Sequence, residues 1–420
     1  YNEAVKQAEE GLKFEKAAIA TGTTYSYHTD AVIDQVINQV MDEKDISRQL
    51  AENYVYSSGL TIYSTVDSTI QARLEEEYAK EKYKKTSPSK KQTTQSGMAI
   101  IDYKTGNVVG IAGGLGTKEG SGWNRATQMK KQTGSSIKPI ADVAPALEEK
   151  VITPATVYDD VKTDFGGGYT PKNDGERYRG IINIRQFIET SQNIPALKIM
   201  KELTPEKSIQ YLKKMGITSL DDKKDNVLSL AIGGMTDGVS PLEMAAAYGT
   251  IANDGIYITP TFYTKVVDSS GNTVLTPKQE QVRAVSEQTA YLTKKITQEP
   301  VNSSRGTATY CKISGVDVAA KTGTTDENYD RWLCGFTPYY TAVTWYGYDK
   351  NESIEFNQRN PAGLIWANVM SRIHTGLKGA KFENPGAIST ATICSATGKK
   401  ANTGCPNTYT EYFLWFTVPE

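Results

Sequence analysis

The chain has 420 residues, of which 38% are hydrophobic and 23% are charged; this is enough apolar sequence for a buried core and too much for a disordered chain. The formal net charge of −1 lacks the basic excess typical of nucleic-acid binding, so we expect no nucleic-acid partner. The length favours two to three domains. Only two histidines occur, His28 and His374, so a Ser-His-Asp triad is poorly supplied and an acyl-transfer enzyme would need lysine as its base.

The membrane and redox signals are few. No run of 18 apolar residues occurs, and no signal peptide opens the chain at Tyr1, so we expect a fragment without its own membrane span. The four cysteines form no Cys-x-x-Cys pair, which argues against a structural zinc site. Cys394 and Cys405 lie close together in a segment rich in Gly, Thr and Asn, which leaves two alternatives open: a disulfide in an extracellular protein, or two reduced thiols in a loop.

The first 58 residues are predicted to be mainly helical, with helices over residues 2–16 and 30–45. Because this segment has no strong core pattern of its own, we interpret residues 1–58 as an interdomain linker or a remnant of an upstream region.

Residues 59–66 alternate apolar and polar side chains, which predicts a strand, and Asp67 is a candidate N-cap for a helix near residues 71–82. Two apolar runs then flank a short turn that contains glycine. This pattern is typical of a β-hairpin, with strands at residues 98–102 and 107–112.

Helical patterns dominate the middle of the chain, and strands return after it. The predicted helices are residues 184–189, 195–203, 206–215 and 241–252, and the later strands are residues 263–267, 316–321, 332–336 and 342–348. Strands at both ends with helices between them predict a mixed α/β (α+β) fold, in which one central antiparallel sheet is flanked by helices and joined by a helical subdomain.

Three short fragments carry the chemistry of the chain. Each is weak alone, but together and in this order they specify a serine acyl-transfer site. They are Ser135-Ser-Ile-Lys138, Ser191-Gln-Asn193 and Lys321-Thr-Gly323-Thr324.

Ser135 follows a glycine and precedes Pro139, which a helix tolerates in its first turn, so we expect Ser135 at a helix N-terminus. Lys138 would then lie one turn along the same face and could take the hydroxyl proton if burial and a second ammonium lower its pKa. Lys321 is the candidate for that second charge.

The other two fragments are predicted to handle substrate. Ser191 could relay a proton to the leaving amine, and Asn193 could hold a substrate amide, while Gln192 between them should point away. A peptide could pair along the strand that ends in Lys321, with Thr322 and Thr324 binding a terminal carboxylate and Gly323 allowing close backbone approach. The backbone N–H groups of Ser135 and Thr324 are candidates for an oxyanion hole, worth about 3 kcal/mol per donor.

The sequence around these fragments resembles class A penicillin-binding proteins over roughly residues 20–415. The resemblance is carried by the following segments: 123–128 (WNRATQ), 132–139 (QTGSSIKP), 169–173 (YTPKN), 230–234 (LAIGG), 239–248 (VSPLEMAAAY), 252–255 (ANDG) and 330–338 (DRWLCGFTP). Trp123 stands where phenylalanine is expected; it could line the cleft entrance and contact substrate, or merely pack.

The resemblance implies a penicillin-binding/β-lactamase-like serine acyltransferase fold, with a transpeptidase domain at residues 59–382 and a C-terminal extension at 383–420. It also implies a D,D-transpeptidase whose Ser135 is acylated by stem peptides ending in D-Ala-D-Ala and trapped by β-lactams. Family members carry a membrane anchor and a glycosyltransferase domain upstream and work with the cell-wall synthesis machinery at the extracytoplasmic face of the bacterial membrane. The mechanism requires no metal and no organic cofactor.

Two alternatives on the same fold remain open. A D,D-carboxypeptidase would use water in place of the acceptor amine. A β-lactam-hydrolysing or β-lactam-sensing domain would also acylate, but no Glu-x-x-Leu-Asn stretch that could supply a deacylating glutamate lies between Ser191 and Lys321.

Overall fold

The computed structural model describes residues 24–120, 122–355 and 359–420. Two helices open this part of the chain, α1 (Tyr27–Lys44) and α2 (Arg48–Ser57). The helix predicted at residues 30–45 is therefore confirmed, whereas the one predicted at 2–16 lies outside the described residues. Although the sequence lacks an obvious core pattern here, Val32, Val36 and Val40 are buried in the same hydrophobic core as the central sheet.

The central sheet has five antiparallel strands in the order β10-β11-β12-β2-β3. Its strands come from both ends of the chain, and the pairing of Thr341 in β12 with Ile101 in β2 joins the two halves. The predicted antiparallel sheet is thus confirmed. The strands are β2 (Gln95–Asp102), β3 (Asn107–Ala112), β10 (Ala319–Thr324), β11 (Asp330–Phe336) and β12 (Thr341–Gly347).

One strand prediction is displaced. Residues 316–321 were expected to form the strand, but β10 begins at Ala319 and continues through Thr324. The reason is pairing: β11 provides antiparallel partners along the whole Lys-Thr-Gly-Thr segment, from Lys321 opposite Cys334 to Thr324 opposite Arg331. Val316 instead bridges to Ala380.

The two faces of the sheet are covered by different helices, because successive side chains point to opposite sides. Leu333 faces a core shared with α3 (Ser68–Tyr78) and α11 (Pro361–Ile373). Its neighbours Trp332 and Cys334 face the larger core, which contains α8 (Pro241–Ala252). Asp67 caps α3 as predicted, by accepting hydrogen bonds from the backbone of the first turn.

The helical subdomain lies between the two halves of the sheet in sequence. Its helices are α4 (Ala144–Glu148), α5 (Ile184–Thr190), α6 (Ile194–Leu203), α7 (Pro205–Lys214), α9 (Glu287–Thr297) and α10 (Glu299–Asn302). The bounds of α5, α6 and α7 agree with the predicted ones to within a residue or two, whereas no bounds were predicted for α4, α9 and α10. Local signals explain the starts: Asn183 forms a capping box with Gln186 at α5, and Ser240 forms one with Glu243 at α8.

Smaller antiparallel units complete the fold. They are β4 (Val157–Asp160) with β5 (Gly180–Asn183), β1 (Thr61–Ser64) with β7 (Tyr263–Val267) and β8 (Thr273–Leu275), and β6 (Ile256–Ile258) with β9 (Gln281–Arg283).

A C-terminal hairpin, β13 (Ile388–Cys394) with β14 (Thr408–Leu414), docks onto the helical subdomain. Its Glu411 is fully buried and accepts two hydrogen bonds from the Arg185 guanidinium, from Nε at 2.5 Å and from Nη2 at 2.6 Å. Cys394 and Cys405 are free thiols in the structure.

Both histidines are structural. His28 is buried, with Nε2 2.7 Å from the Val108 carbonyl oxygen, and His374 is buried between Thr337 and the Met370 carbonyl.

Within the described residues, no helix combines the length and the apolar character needed to cross a bilayer.

The Arg185–Glu411 pair should hold the hairpin in place. Replacing Arg185 by Ala leaves the buried Glu411 carboxylate unpaired, so we expect the free energy of unfolding, measured by urea titration, to fall by about 3–5 kcal/mol. Arg48→Ala is the matched control, because the Arg48–Asp34 pair is about half exposed and should cost less than about 1 kcal/mol. Equal losses in the two variants would show that the hairpin does not depend on this pair.

Candidate active site

The three sequence fragments meet at one cleft of about 820 Å³. Ser135, Ser191, Asn193, Thr322 and Thr324 all line it. Lys138 and Lys321 are fully buried, and both donate hydrogen bonds to Ser191. The structure therefore brings together the lysines and hydroxyls that the sequence singled out.

The expectation that Ser135 begins a regular α-helix is wrong. Ser135 lies in a 3-10 turn, Gly134–Ile137, which is followed by a π-turn, Pro139–Val143. Pro139 explains the difference. It has no N–H to donate to the Ser135 carbonyl four residues back, so the N–H of Lys138 makes that bond instead, with 3-10 spacing.

Glycine at 134 is required by the contact between this turn and β10. Gly134 has φ 53°, and a Cβ there would overlap the carbonyl oxygen of Thr324 and lie 3.0 Å from its nitrogen. Gly323 meets the same constraint from the other side, because a Cβ would overlap the Thr133 carbonyl oxygen. The two candidate oxyanion-hole residues, Ser135 and Thr324, are held next to each other in this way.

Lys138 Nζ has three acceptors: the carbonyl oxygens of Ser191 (2.9 Å) and Gln192 (2.8 Å) and Oδ1 of Asn193 (2.8 Å). This geometry suits a protonated amine, which has three donors. Burial acts in the opposite direction and holds the pKa of Lys138 well below its usual range, and the neighbouring Lys321 charge lowers it further. The three hydrogen bonds therefore favour the charged form of Lys138, whereas burial and the Lys321 charge favour its neutral form.

Ser191 connects the two lysines. It adopts the left-handed conformation, with φ 61°, at the C-terminus of α5. Its carbonyl accepts from Lys138, and its hydroxyl accepts from Lys321 Nζ at 2.7 Å. A non-glycine residue in this conformation stores strain, which is common where a side chain must be aimed at a site.

Asn193 supports Lys138 through Oδ1 and donates from Nδ2 to the carbonyl of Lys172 at 2.7 Å. Its predicted contact with a substrate amide stays a prediction. Gln192 is buried and, unlike Ser191 and Asn193, does not line the cleft, as expected.

Lys321 lies in β10, where Nζ also donates to the Thr322 carbonyl at 3.0 Å. Burial lowers the pKa of Lys321 to about 7. β10 is the edge strand of the five-stranded sheet. This fits a strand against which an extended peptide can pair.

Two hydroxyls follow Lys321, and they differ in their free hydrogen-bonding capacity. Thr322 Oγ1 donates to Thr307 Oγ1 at 2.9 Å. Thr324 Oγ1 accepts from Nη1 of Arg331 at 2.7 Å, so its own proton is left to donate.

Trp123 lies elsewhere. It is 43% exposed, its ring stacks with Arg125, and it lines a neighbouring cavity of about 570 Å³ that shares Thr325 and Asp326 with the cleft. Trp123 therefore lines this second cavity and not the cleft that contains Ser135, at whose entrance it was expected.

Three residues of the site were missed by sequence reasoning. Asn173 Oδ1 accepts from the backbone of Asn193 at 2.7 Å, and its signal was the Tyr-Thr-Pro-Lys-Asn segment. Asp142 is fully buried one turn after Lys138, with both oxygens unpartnered, and burial raises the pKa of its carboxyl well above the usual range. No sequence signal marked Asp142. Arg331 lies within the segment 330–338 that carries the family resemblance, but no role was predicted for it.

No group of three or more metal-ligating side chains lies together in the described parts of the chain.

Comparison with known proteins identifies the family. The sequence matches the family described as "Penicillin binding protein transpeptidase domain" over residues 97–371 and "Penicillin-binding protein 1A, C-terminal domain" over residues 384–420. The chain belongs to the penicillin-binding protein transpeptidase family, and its fold is the penicillin-binding/β-lactamase-like fold.

Among curated relatives, penicillin-binding protein 1A of Clostridium botulinum is 30% identical, over 100% of this chain and 53% of that protein. Penicillin-binding protein 1A/1B of Bacillus subtilis is 31% identical, over 100% of this chain and 46% of that protein. The chain thus spans about half the length of the curated relatives it matches.

Solved structures share the fold at lower identity. Penicillin-binding protein 1A from Haemophilus influenzae has a TM-score of 0.75 at 20% identity, covering 92% of this chain and 76% of that one. PonA1 from Mycobacterium tuberculosis, solved in complex with penicillin V, has a TM-score of 0.72 at 24% identity, covering 85% of this chain and 96% of that one.

The contact between the nucleophile turn and β10 can be tested at Gly134. In Gly134→Ala, backbone strain and overlap with Thr324 should together lower the free energy of unfolding by about 3 kcal/mol, measured by urea titration. Gly167→Ala is the control: Gly167 has φ 61° but nothing within 4 Å of its would-be Cβ, so only the strain of about 1 kcal/mol remains. If both variants lost the same amount, close packing at Gly134 would be excluded.

Proposed function

We propose that this chain is a peptidoglycan D,D-transpeptidase that forms an acyl-enzyme on Ser135 with stem peptides ending in D-Ala-D-Ala, and that β-lactams trap the same serine. One observation carries the proposal. Ser135 Oγ lines the cleft without a hydrogen-bond partner among the described residues, and the fully buried Lys138 lies one turn beyond it. The family membership supports the same conclusion.

Acylation begins when neutral Lys138 accepts the Ser135 hydroxyl proton and Oγ attacks the carbonyl carbon of the penultimate D-Ala. Negative charge then develops on the carbonyl oxygen. The N–H groups of Ser135 and Thr324 are the donors that would stabilise it, since the Gly134 contact holds these two backbones together.

The peptide C–N bond then breaks. The leaving nitrogen of the terminal D-Ala receives a proton through the Ser191 hydroxyl, which accepts from Lys321 Nζ, while the backbone carbonyl of the same residue accepts from Lys138. Terminal D-Ala departs, and the acyl group remains on Ser135.

Deacylation repeats these steps in reverse order. An amine of a neighbouring stem loses its proton to Lys138 by way of Ser191 and attacks the ester. Lys138 returns a proton to the Ser135 oxygen as the ester bond breaks, which forms the cross-link and frees Ser135. Water entering in place of the amine would give carboxypeptidase activity, so the ratio of cross-linked to hydrolysed product measures the balance between the two.

The rest of the full-length protein is inferred from relatives that are about twice as long. We place the chain at the extracytoplasmic face of the bacterial membrane, held by an upstream anchor and a glycosyltransferase domain, and working with the cell-wall synthesis machinery. The C-terminal hairpin would be an extension packed on the transpeptidase domain.

The acyl-enzyme can be detected directly. Incubation with benzylpenicillin should add the mass of one penicilloyl group, located by peptide mapping to Ser135, and Ser135→Ala should gain none.

Lys138→Met, which keeps the buried chain length but removes the base, should lower the acylation rate by at least about 100-fold. Labelling of folded Lys138→Met at the parent rate would overturn the assignment of the base.

The pH dependence of acylation follows from the two lysines. The second-order rate constant reports the free enzyme. Because Lys321, with a pKa of about 7, loses its charge above that pH, acylation by anionic penicillin should fall as the pH rises through about 7. Burial and the neighbouring Lys321 charge hold the pKa of Lys138 well below its usual range, which favours the neutral form that acts as the base. In Lys321→Arg the alkaline limb should move upward; a flat wild-type profile from pH 6 to 9 would refute a role for the Lys321 charge.

A further inference from the structure

Arg331 is an arginine in the cleft without an anionic partner. It lies in β11 directly opposite Thr324 in β10, is partly buried, and lines the same cleft as Ser135. Its Nη1 donates to Thr324 Oγ1 at 2.7 Å and its Nη2 to Asn328 Oδ1 at 2.9 Å, while Nε has no partner. Both partners are neutral, and within the described residues no carboxylate forms an ion pair with it.

An arginine in this position has hydrogen-bonding capacity left over. A guanidinium has five N–H donors in a planar fork that matches a carboxylate, and only two of them are used here. Asp174, also on the cleft wall, acts on Arg331 only through space and makes no hydrogen bond to it. The charge is therefore held beside the cleft with no carboxylate of the described residues bonded to it.

The two threonines after Lys321 have different free donors. Thr322 already donates its hydroxyl proton to Thr307. Thr324 is exposed and uses one lone pair to accept from Arg331, so its proton is free to point into the cleft. The contact with Arg331 thus leaves Thr324 as a hydrogen-bond donor for a ligand, whereas the contact with Thr307 engages Thr322.

We propose that Arg331 is a specificity-determining residue, which selects donor peptides and β-lactams with a free carboxylate by orienting the Thr324 hydroxyl and placing a fixed positive charge beside it. This inference rests on the proposed function. It goes beyond that function by assigning carboxylate selection to a side chain outside the three sequence fragments. A guanidinium keeps its charge across the pH range in which Lys321 titrates, so the two cations are not equivalent.

A purely structural role makes a different prediction. Arg331 also bonds Asn328, and the turn at Glu327 and Asn328 has positive φ values of 55° and 57°. If Arg331 only braced this turn, its loss would slow acylation by every ligand alike, whether or not the ligand carries a carboxylate.

The test compares benzylpenicillin with its methyl ester, which has the same reactive ring but no anion. In Arg331→Met, the second-order acylation rate should fall about 10-fold to about 100-fold for penicillin, the range for losing a hydrogen bond to a charged group, and less than about 3-fold for the ester. Arg331→Lys should recover part of the penicillin rate, because it restores charge without the fork. A donor peptide ending in a free carboxylate and its C-terminal amide should show the same contrast.

Lys172→Gln is the matched control, because it removes an exposed cation of the cleft wall that already pairs with Glu176, and it should leave the penicillin-to-ester ratio unchanged. Equal losses for both probes in Arg331→Met, or no loss for either, would overturn the assignment. Failure of the folded wild-type protein to label Ser135 with either probe would instead remove the proposed function, and this inference with it.

Discussion

The contact between the turn carrying Ser135 and the edge strand β10 is the constraint on which the site depends. Two glycines make it possible, Gly134 in the turn and Gly323 in the strand, and each has the backbone of the other element where a side chain would be. Burial of Tyr248 and Trp332 fixes the turn from below, through hydrogen bonds to the carbonyls of Ser136 and Gln132. The 3-10 and π turns on either side of Lys138 follow from Pro139, which has no N–H to donate to the Ser135 carbonyl.

Beneath that contact lie two fully buried lysines, which is an expensive arrangement unless both are hydrogen-bonded or neutral. The loop at the end of α5 meets this requirement. Ser191 and Asn193 provide backbone and side-chain oxygens to Lys138, and the Ser191 hydroxyl accepts from Lys321. Asn173 in turn holds the backbone of this loop. Desolvation destabilises the charged form of both lysines, and for the same reason it lowers their pKa values.

The central sheet, most helix bounds and the residues that converge on the cleft could be predicted from the sequence. These features have local causes: capping boxes, period-two alternation and rare short motifs. The features that were predicted wrongly or missed depend on contacts between residues that are distant in the sequence. The start of β10 is set by pairing with β11, and the burial of Val32 and Val36 is set by a sheet formed from distant sequence. Trp123 belongs to the adjoining cavity for the same reason. Asp142 gives no sequence signal at all, since only the surrounding packing makes its carboxyl unpartnered.

Edge strands are usually protected against pairing with other chains, and β10 presents an instructive case. It has six residues, the fifth of which is Gly323, and the turn carrying Ser135 lies against it. In the proposed function, an incoming peptide would meet a limited length of strand that ends at Thr324, with Arg331 opposite it, where hydrogen-bond donors and positive charge replace further ladder positions. A ligand whose backbone ends in a carboxylate would satisfy these donors at the point where the strand stops. A chain that continued past this point would leave them unpaired, so the edge proposed to admit substrate would also oppose indefinite β-pairing.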